Sequence, residues 1–170
     1  MKQILGFVIT MVLTVALVGC GKSPEEKKME SEMSTEVTKL LDENKAALEQ
    51  VSSLINQVDV TIARRDSMVV AHPKETAGHS VEDLQNAKTR LAAAQDALEK
   101  WLKAYRPYNE GMKHQEAMNN LKRAKEDLTN AKTNIDEASA AANTAIDHHA
   151  KLFDELTAQL AKPAGKKGRK

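Results

Sequence analysis

Cysteine occurs once in 170 residues, at Cys20, so one chain can build no internal disulfide, redox pair or thiolate metal cluster. Glycine and proline are nearly as scarce, at seven and four, and aromatic residues make up 3%. Alanine, leucine, glutamate, lysine, glutamine and asparagine dominate instead, which favours long helices around a thin core. No charge of one sign prevails, the formal net being +1, so nothing marks a nucleic-acid partner. There is also no nucleophile elbow, phosphate loop, zinc signature or haem attachment motif, and an enzyme is not expected. The longest apolar run, residues 3–18, carries no charge and is shorter than the ~20 residues that span a bilayer.

That run is informative for what surrounds it. Lys2 precedes it, Ile4, Leu5, Phe7, Val8, Ile9, Val12, Leu13 and Val15 fill it, and Leu17-Val18-Gly19-Cys20 closes it. Charged n-region, apolar h-region and small-residue cleavage site stand in order. Residues 1–21 thereby resemble bacterial lipoprotein precursors. The resemblance implies that residues 1–19 are a signal peptide cut between Gly19 and Cys20, and that Cys20 carries covalent lipid as the first mature residue. Several acyl chains would hold the membrane stably where one would not. Gly21, in place of aspartate, implies the outer membrane in a Gram-negative host.

From Cys20 onward 24 basic residues balance 24 acidic ones, but the balance is uneven along the chain. Residues 161–170 hold Lys162, Lys166, Lys167, Arg169 and Lys170 with no acid, leaving the body acidic by five. Breaks fall at Ser23-Pro24, Ala71 to His79, Arg106 to Gly111, and Lys162 to Gly165. Between them we expect helices over about 24–70, 80–105 and 112–160. The chain divides into a signal peptide 1–19, a lipidated cysteine and charged stalk 20–36, a helical coiled-coil domain 37–160 and a flexible basic tail 161–170.

Ser23-Pro24-Glu25-Glu26 supplies a capping serine, a first-turn proline and the glutamate of a capping box. The first helix then repeats in heptads, with Val37, Asn44, Val51 and Val58 on one line and Leu40, Ala47 and Leu54 on the next. Its stripe is wide enough for two partners. Asn44 reads as a solvated seam residue or as a register-setting one, and we take the former. Glu25 to Glu32 reads as a solvated stalk. Ser80 to Asp83 reads as a serine-to-acid cap on the second helix.

Leu84, Ala87, Leu91, Ala94, Leu98 and Trp101 keep three-four spacing on the second helix. Leu121, Ala124, Leu128, Ala131, Ile135, Ala138, Ala142, Ala145, His149, Leu152 and Leu156 do so on the third. A tight turn at Arg106 to Gly111 would pair Leu98 with Leu121, Leu91 with Leu128 and Leu84 with Ile135, alanine meeting alanine between them. The expected fold is therefore all-α: a long antiparallel hairpin within an elongated three-helix coiled-coil bundle. The third helix should overhang the second beyond Ala138. Its apolar stripe must then fold back near Asn143-Thr144 or be covered by a second copy or a partner helix, and we take the second course.

Asp147-His148-His149 invites a metal reading. Adjacent histidines point about 100° apart on a helix, so we take one as solvated, the other as a seam residue, and expect no metal or other cofactor beyond the covalent lipid. His72 and His79 flank a loop without a preorganised ligand set. Trp101, Tyr105 and Tyr108 beside Pro107 read as a plug at the hairpin end rather than a docking patch. The stretch Trp101 to Pro107 is similar to part of some helical bacterial lipoproteins, and this brings no activity with it.

The lipidated cysteine, heptad helix and terminal Arg169-Lys170 resemble the murein lipoprotein family. That resemblance implies a covalent link from Lys170 to the cell wall, although the family is a short single helix without this glycine-lysine tail. The other reading of Lys166, Lys167, Arg169 and Lys170 is electrostatic contact with anionic lipid or wall polymer. The expected role is a lipid-anchored envelope protein with a structural or interaction function. A periplasmic chaperone-like binding module is the alternative, and a metal-responsive sensor using the histidines a third.

Overall fold

The computed structural model describes residues 22–161. Three helices follow in order, α1 over Pro24–Ala71, α2 over Glu82–Ala104 and α3 over His114–Leu160. The all-α bundle expected from the sequence is thus present, with boundaries within two residues of those expected. At 1.5 Å per residue the 48 residues of α1 and 47 of α3 each reach ~70 Å, twice the length of α2.

The capping box opens α1 as its residues dictate. The Glu26 amide donates to Ser23 Oγ at 3.2 Å and the Ser23 amide donates to Glu26 Oε2 at 2.7 Å. Ser80 acts differently, because its hydroxyl accepts the Glu82 amide at 3.1 Å and Asp83 makes no cap. Val37, Val51, Val58, Leu84, Leu91, Leu98, Leu121, Leu128 and Ile135 are buried in one continuous core. The heptad lines read from the sequence are the lines that pack.

Cross-helix pairs set the directions. Glu30 meets His114, Glu36 meets Lys125 and Arg64 lies over Phe153, so α1 and α3 run parallel and side by side over their whole length. Asp59 meets Lys88, and Asp83 meets His148 and His149, so α2 runs antiparallel between them.

The register of α2 on α3 differs from the expected leucine-to-leucine pairing. Tight-turn pairing would set Asp83 opposite Asp136, whereas Asp83 reaches His149, and Trp101 donates to Asp127 rather than lying near Met118. The displacement is about three helical turns. Its cause lies in the connection: α2 stops at Tyr105, which is extended at φ −60° and ψ 131°, and Pro107 denies Arg106 the helical region. Tyr105 to Tyr108 therefore continue away from α2 at ~3.3 Å per residue before the chain reverses at Asn109 to Met112, where the Met112 amide donates to the Asn109 carbonyl. Four extended residues, ~13 Å, account for most of the slip. Leucines of α2 consequently come level with alanines of α3.

The overhang of α3 is resolved within the chain. No break interrupts α3 and no second copy is needed, because parallel α1 flanks it to the end, and Ala142, Ala145, Phe153 and Leu156 are buried. The stripe therefore does not by itself require a second copy or a partner helix.

Two other expectations change. Glu25, Lys27, Lys28 and Glu32 are exposed as in a stalk, but Glu30 among them is 1% exposed. Asn44 is fully buried rather than solvated: its Nδ2 donates to the carbonyls of Leu40 and Leu128 at 2.8 and 3.1 Å, while its Oδ1 has no partner. A buried acceptor left unpaired costs about 1–3 kcal/mol, and both carbonyls sit in helices that bond them anyway. Asn44→Leu is expected to stabilise the bundle by about 1 kcal/mol in urea unfolding while loosening the α1–α3 register.

Candidate functional site

Chemistry-bearing side chains gather at three places, each at the end of α2 or where a loop replaces it.

At the start of α2, Asp83 projects towards α3. Its Oδ1 lies 3.0 Å from His149 Nε2 and its Oδ2 lies 3.1 Å from His148 Nδ1. The two adjacent rings thus share a carboxylate, contrary to the expectation that their divergence keeps them apart. Cβ directions do diverge, but one ring uses its near nitrogen and the other its far one, and Asp83 stands between them. The expected partition does hold, since His149 is fully buried in the seam and the His148 side chain is 59% exposed. Phe153 packs beside His149 at 6.3 Å between centroids, and the Arg64 guanidinium caps Phe153 at 4.5 Å. Burial pushes the Asp83 carboxyl up; His149, His148 and the Leu84 amide outweigh it and leave it below the usual aspartate range. Ala87, Ala141 and Ala145 on the facing helices leave a shallow groove beside this cluster, edged by Asn86, Arg90 and Thr144.

At the far end of α2, where the connection turns, Glu30 is buried among three donors. Lys22 Nζ donates to it at 2.8 Å, His114 Nδ1 lies 2.9 Å away, and the Tyr108 hydroxyl donates in a short bond. Burial pushes the Glu30 carboxyl up, and the Lys22, Tyr108 and His114 contacts together hold it below the ordinary glutamate range. Burial and the Glu30 carboxylate drive the Tyr108 hydroxyl the other way. Lys22 also donates to the Glu110 carbonyl at 3.2 Å and lies over the Tyr108 ring. Trp101 stacks on Tyr105 at 4.7 Å with its indole nitrogen donating to Asp127 at 3.0 Å, so the aromatic residues plug this end as expected.

Arg65 holds the other connection. It is 3% exposed, and its Nη2 donates to the carbonyls of Thr76 and His79 at 2.9 and 2.6 Å. Gly78, at φ +89°, provides the left-handed turn that brings the His79 carbonyl back. His72 and His79 contribute backbone rather than rings here, consistent with loop residues that form no ligand set.

Among the described residues, Asp83, His148 and His149 are the one group of three or more His, Cys, Asp or Glu side chains at ligand spacing. No described helix is long and apolar enough to cross a membrane. Gly19, Cys20, Lys166, Lys167, Arg169 and Lys170 lie outside the described residues. Glu30, Arg65 and Asp83 are the site residues that pattern reading passed over. No protein family, curated protein or solved structure matches the chain.

Proposed function

We propose that this chain is a lipid-anchored protein of the bacterial cell envelope with a structural or protein-interaction role. The observation that carries the reading is Leu17-Val18-Gly19-Cys20 after a short uncharged run. Lipid on Cys20 puts the bilayer at one end of an elongated bundle. Lys22 is bound to Glu30, so the Tyr108–His114 end of the bundle lies within about two residues, ~7 Å of chain, of the anchor. In a Gram-negative host the protein faces the periplasm from the outer membrane. The bundle then spaces the basic residues Lys166, Lys167, Arg169 and Lys170 away from the lipid, where they contact wall polymer or an anionic surface, or join peptidoglycan through Lys170. The reading contains no catalytic step.

The chaperone-like alternative needs a concave apolar face. Here the apolar faces of α1, α2 and α3 are turned into one another.

Cys20→Ser, expressed beside the native chain and partitioned with Triton X-114, tests the anchor. The native protein is expected in the detergent phase and the variant in the aqueous phase; equal partition of both overturns the reading. For the wall link, sacculi boiled in detergent and digested with muramidase should release a C-terminal peptide joined to a muropeptide. Its absence leaves the tail electrostatic.

A further inference from the structure

Asp83 forms ion pairs with the two imidazoles and with no lysine or arginine among the described residues. With both rings neutral the cluster carries one negative charge, held against a buried ring on a rigid helix pair. Each of the three side chains offers one ligand atom, and the three atoms lie within 4.8 Å of one another. Two imidazole nitrogens and one carboxylate oxygen are the donors of zinc-type ions and unlike the all-oxygen shells of calcium or magnesium. We propose that Asp83, His148 and His149 bind one divalent transition-metal ion, zinc or a chemical equivalent, between α2 and α3.

The parts are suited to the task in different ways. His149 is immobilised in the seam beside Phe153, and without an ion its Nε2–H donates to Asp83 Oδ1; Nδ1 has no partner, so the proton can move there when an ion takes the Nε2 lone pair. Asp83 is oriented by the Leu84 amide, which donates to Oδ1 at 2.9 Å. His148 is exposed and can rotate to close the ligand triangle to the ~3.3 Å edges of a tetrahedral site with 2.0–2.1 Å bonds. Three protein ligands leave one position open. Asp83 and His148 also line the alanine-floored groove, whose volume is about 370 Å³ and whose rim carries Arg90, Asn86 and Thr144, groups suited to a small anionic ligand beside the metal. Binding would also lock the first turn of α2 onto α3.

The test uses the full-length, untagged chain in detergent, titrated first with cobalt(II) followed by absorption and then with zinc(II) in competition. The native chain is expected to take up one ion, to give the intense visible bands of a tetrahedral cobalt centre, and to surrender it to zinc. His148→Ala and Asp83→Asn should each weaken uptake more than ~100-fold, beyond the ~10–100-fold that losing a supporting hydrogen bond costs a metal site. The His72→Ala/His79→Ala double variant should bind as the native chain does. His148→Ala changes an exposed residue, and far-ultraviolet circular dichroism verifies that each variant is folded. A native chain that takes up neither ion, or uptake unchanged in His148→Ala and Asp83→Asn, overturns the proposal.

Discussion

Leu91→Ala is expected to destabilise the bundle by about 4 kcal/mol, in the upper part of the range for truncated buried leucines. Leu91 is fully buried at the middle of α2. The cost of such a truncation depends on how well the neighbours can collapse into the space. Because the extended Tyr105–Tyr108 connection slides α2 along α3, the leucines of α2 lie level with alanines; Arg90, beside Leu91, lines the same groove as Ala141. The alanine methyl has no rotamers with which to move into a void. A leucine-to-leucine seam would have partly refilled it. Urea unfolding should show the midpoint falling with the slope unchanged, while Val60→Ala, at a position 67% exposed, should shift it by less than ~0.5 kcal/mol.

Glu30→Ala is expected to cost about 3 kcal/mol, since it leaves the Tyr108 hydroxyl, the His114 ring and Lys22 without the carboxylate they converge on. The same contact makes the protein acid-sensitive. The folded-state carboxyl titrates below its unfolded value, so in that window the unfolded chain binds more protons than the native one. The stabilisation is fully present above the ordinary glutamate value of about 4.3 and is lost as pH falls through the lower folded value. Thermal melts should therefore show native stability dropping below about pH 4.3. Glu30→Gln, which keeps the shape, should lose that part of the drop while remaining less stable at neutral pH.

How far the sequence discloses this molecule is seen in one heptad line. Val37, Asn44, Val51 and Val58 identify it; one step further in each direction falls on Glu30 and Arg65, both buried. The apolar pattern ends where the residues turn charged, and a charge at a seam position ordinarily marks the end of a core. Here the charges stand where α2 is too short to cover α1 and α3, and each holds the loop that covers them instead: Glu30 through Tyr108, Arg65 through the carbonyls of Thr76 and His79. Helix limits, the Ser23 cap and the core faces were legible because each depends on local spacing. The register of α2 was not, because it depends on whether Tyr105 to Tyr108 are helical or extended, and Pro107 alone does not give the length of the excursion. The meeting of Asp83 with His148 and His149 was hidden for the same reason, since it exists only in the displaced register.

The direct test of an envelope anchor is the intact mass of the protein extracted from membranes of a bacterium expressing the full chain, with fragmentation of its N-terminal peptide. The account predicts a chain that begins at Cys20 and carries a diacylglyceryl group in thioether linkage to the Cys20 sulfur. A chain that still begins at Met1, or one with an unmodified Cys20 thiol, would contradict it.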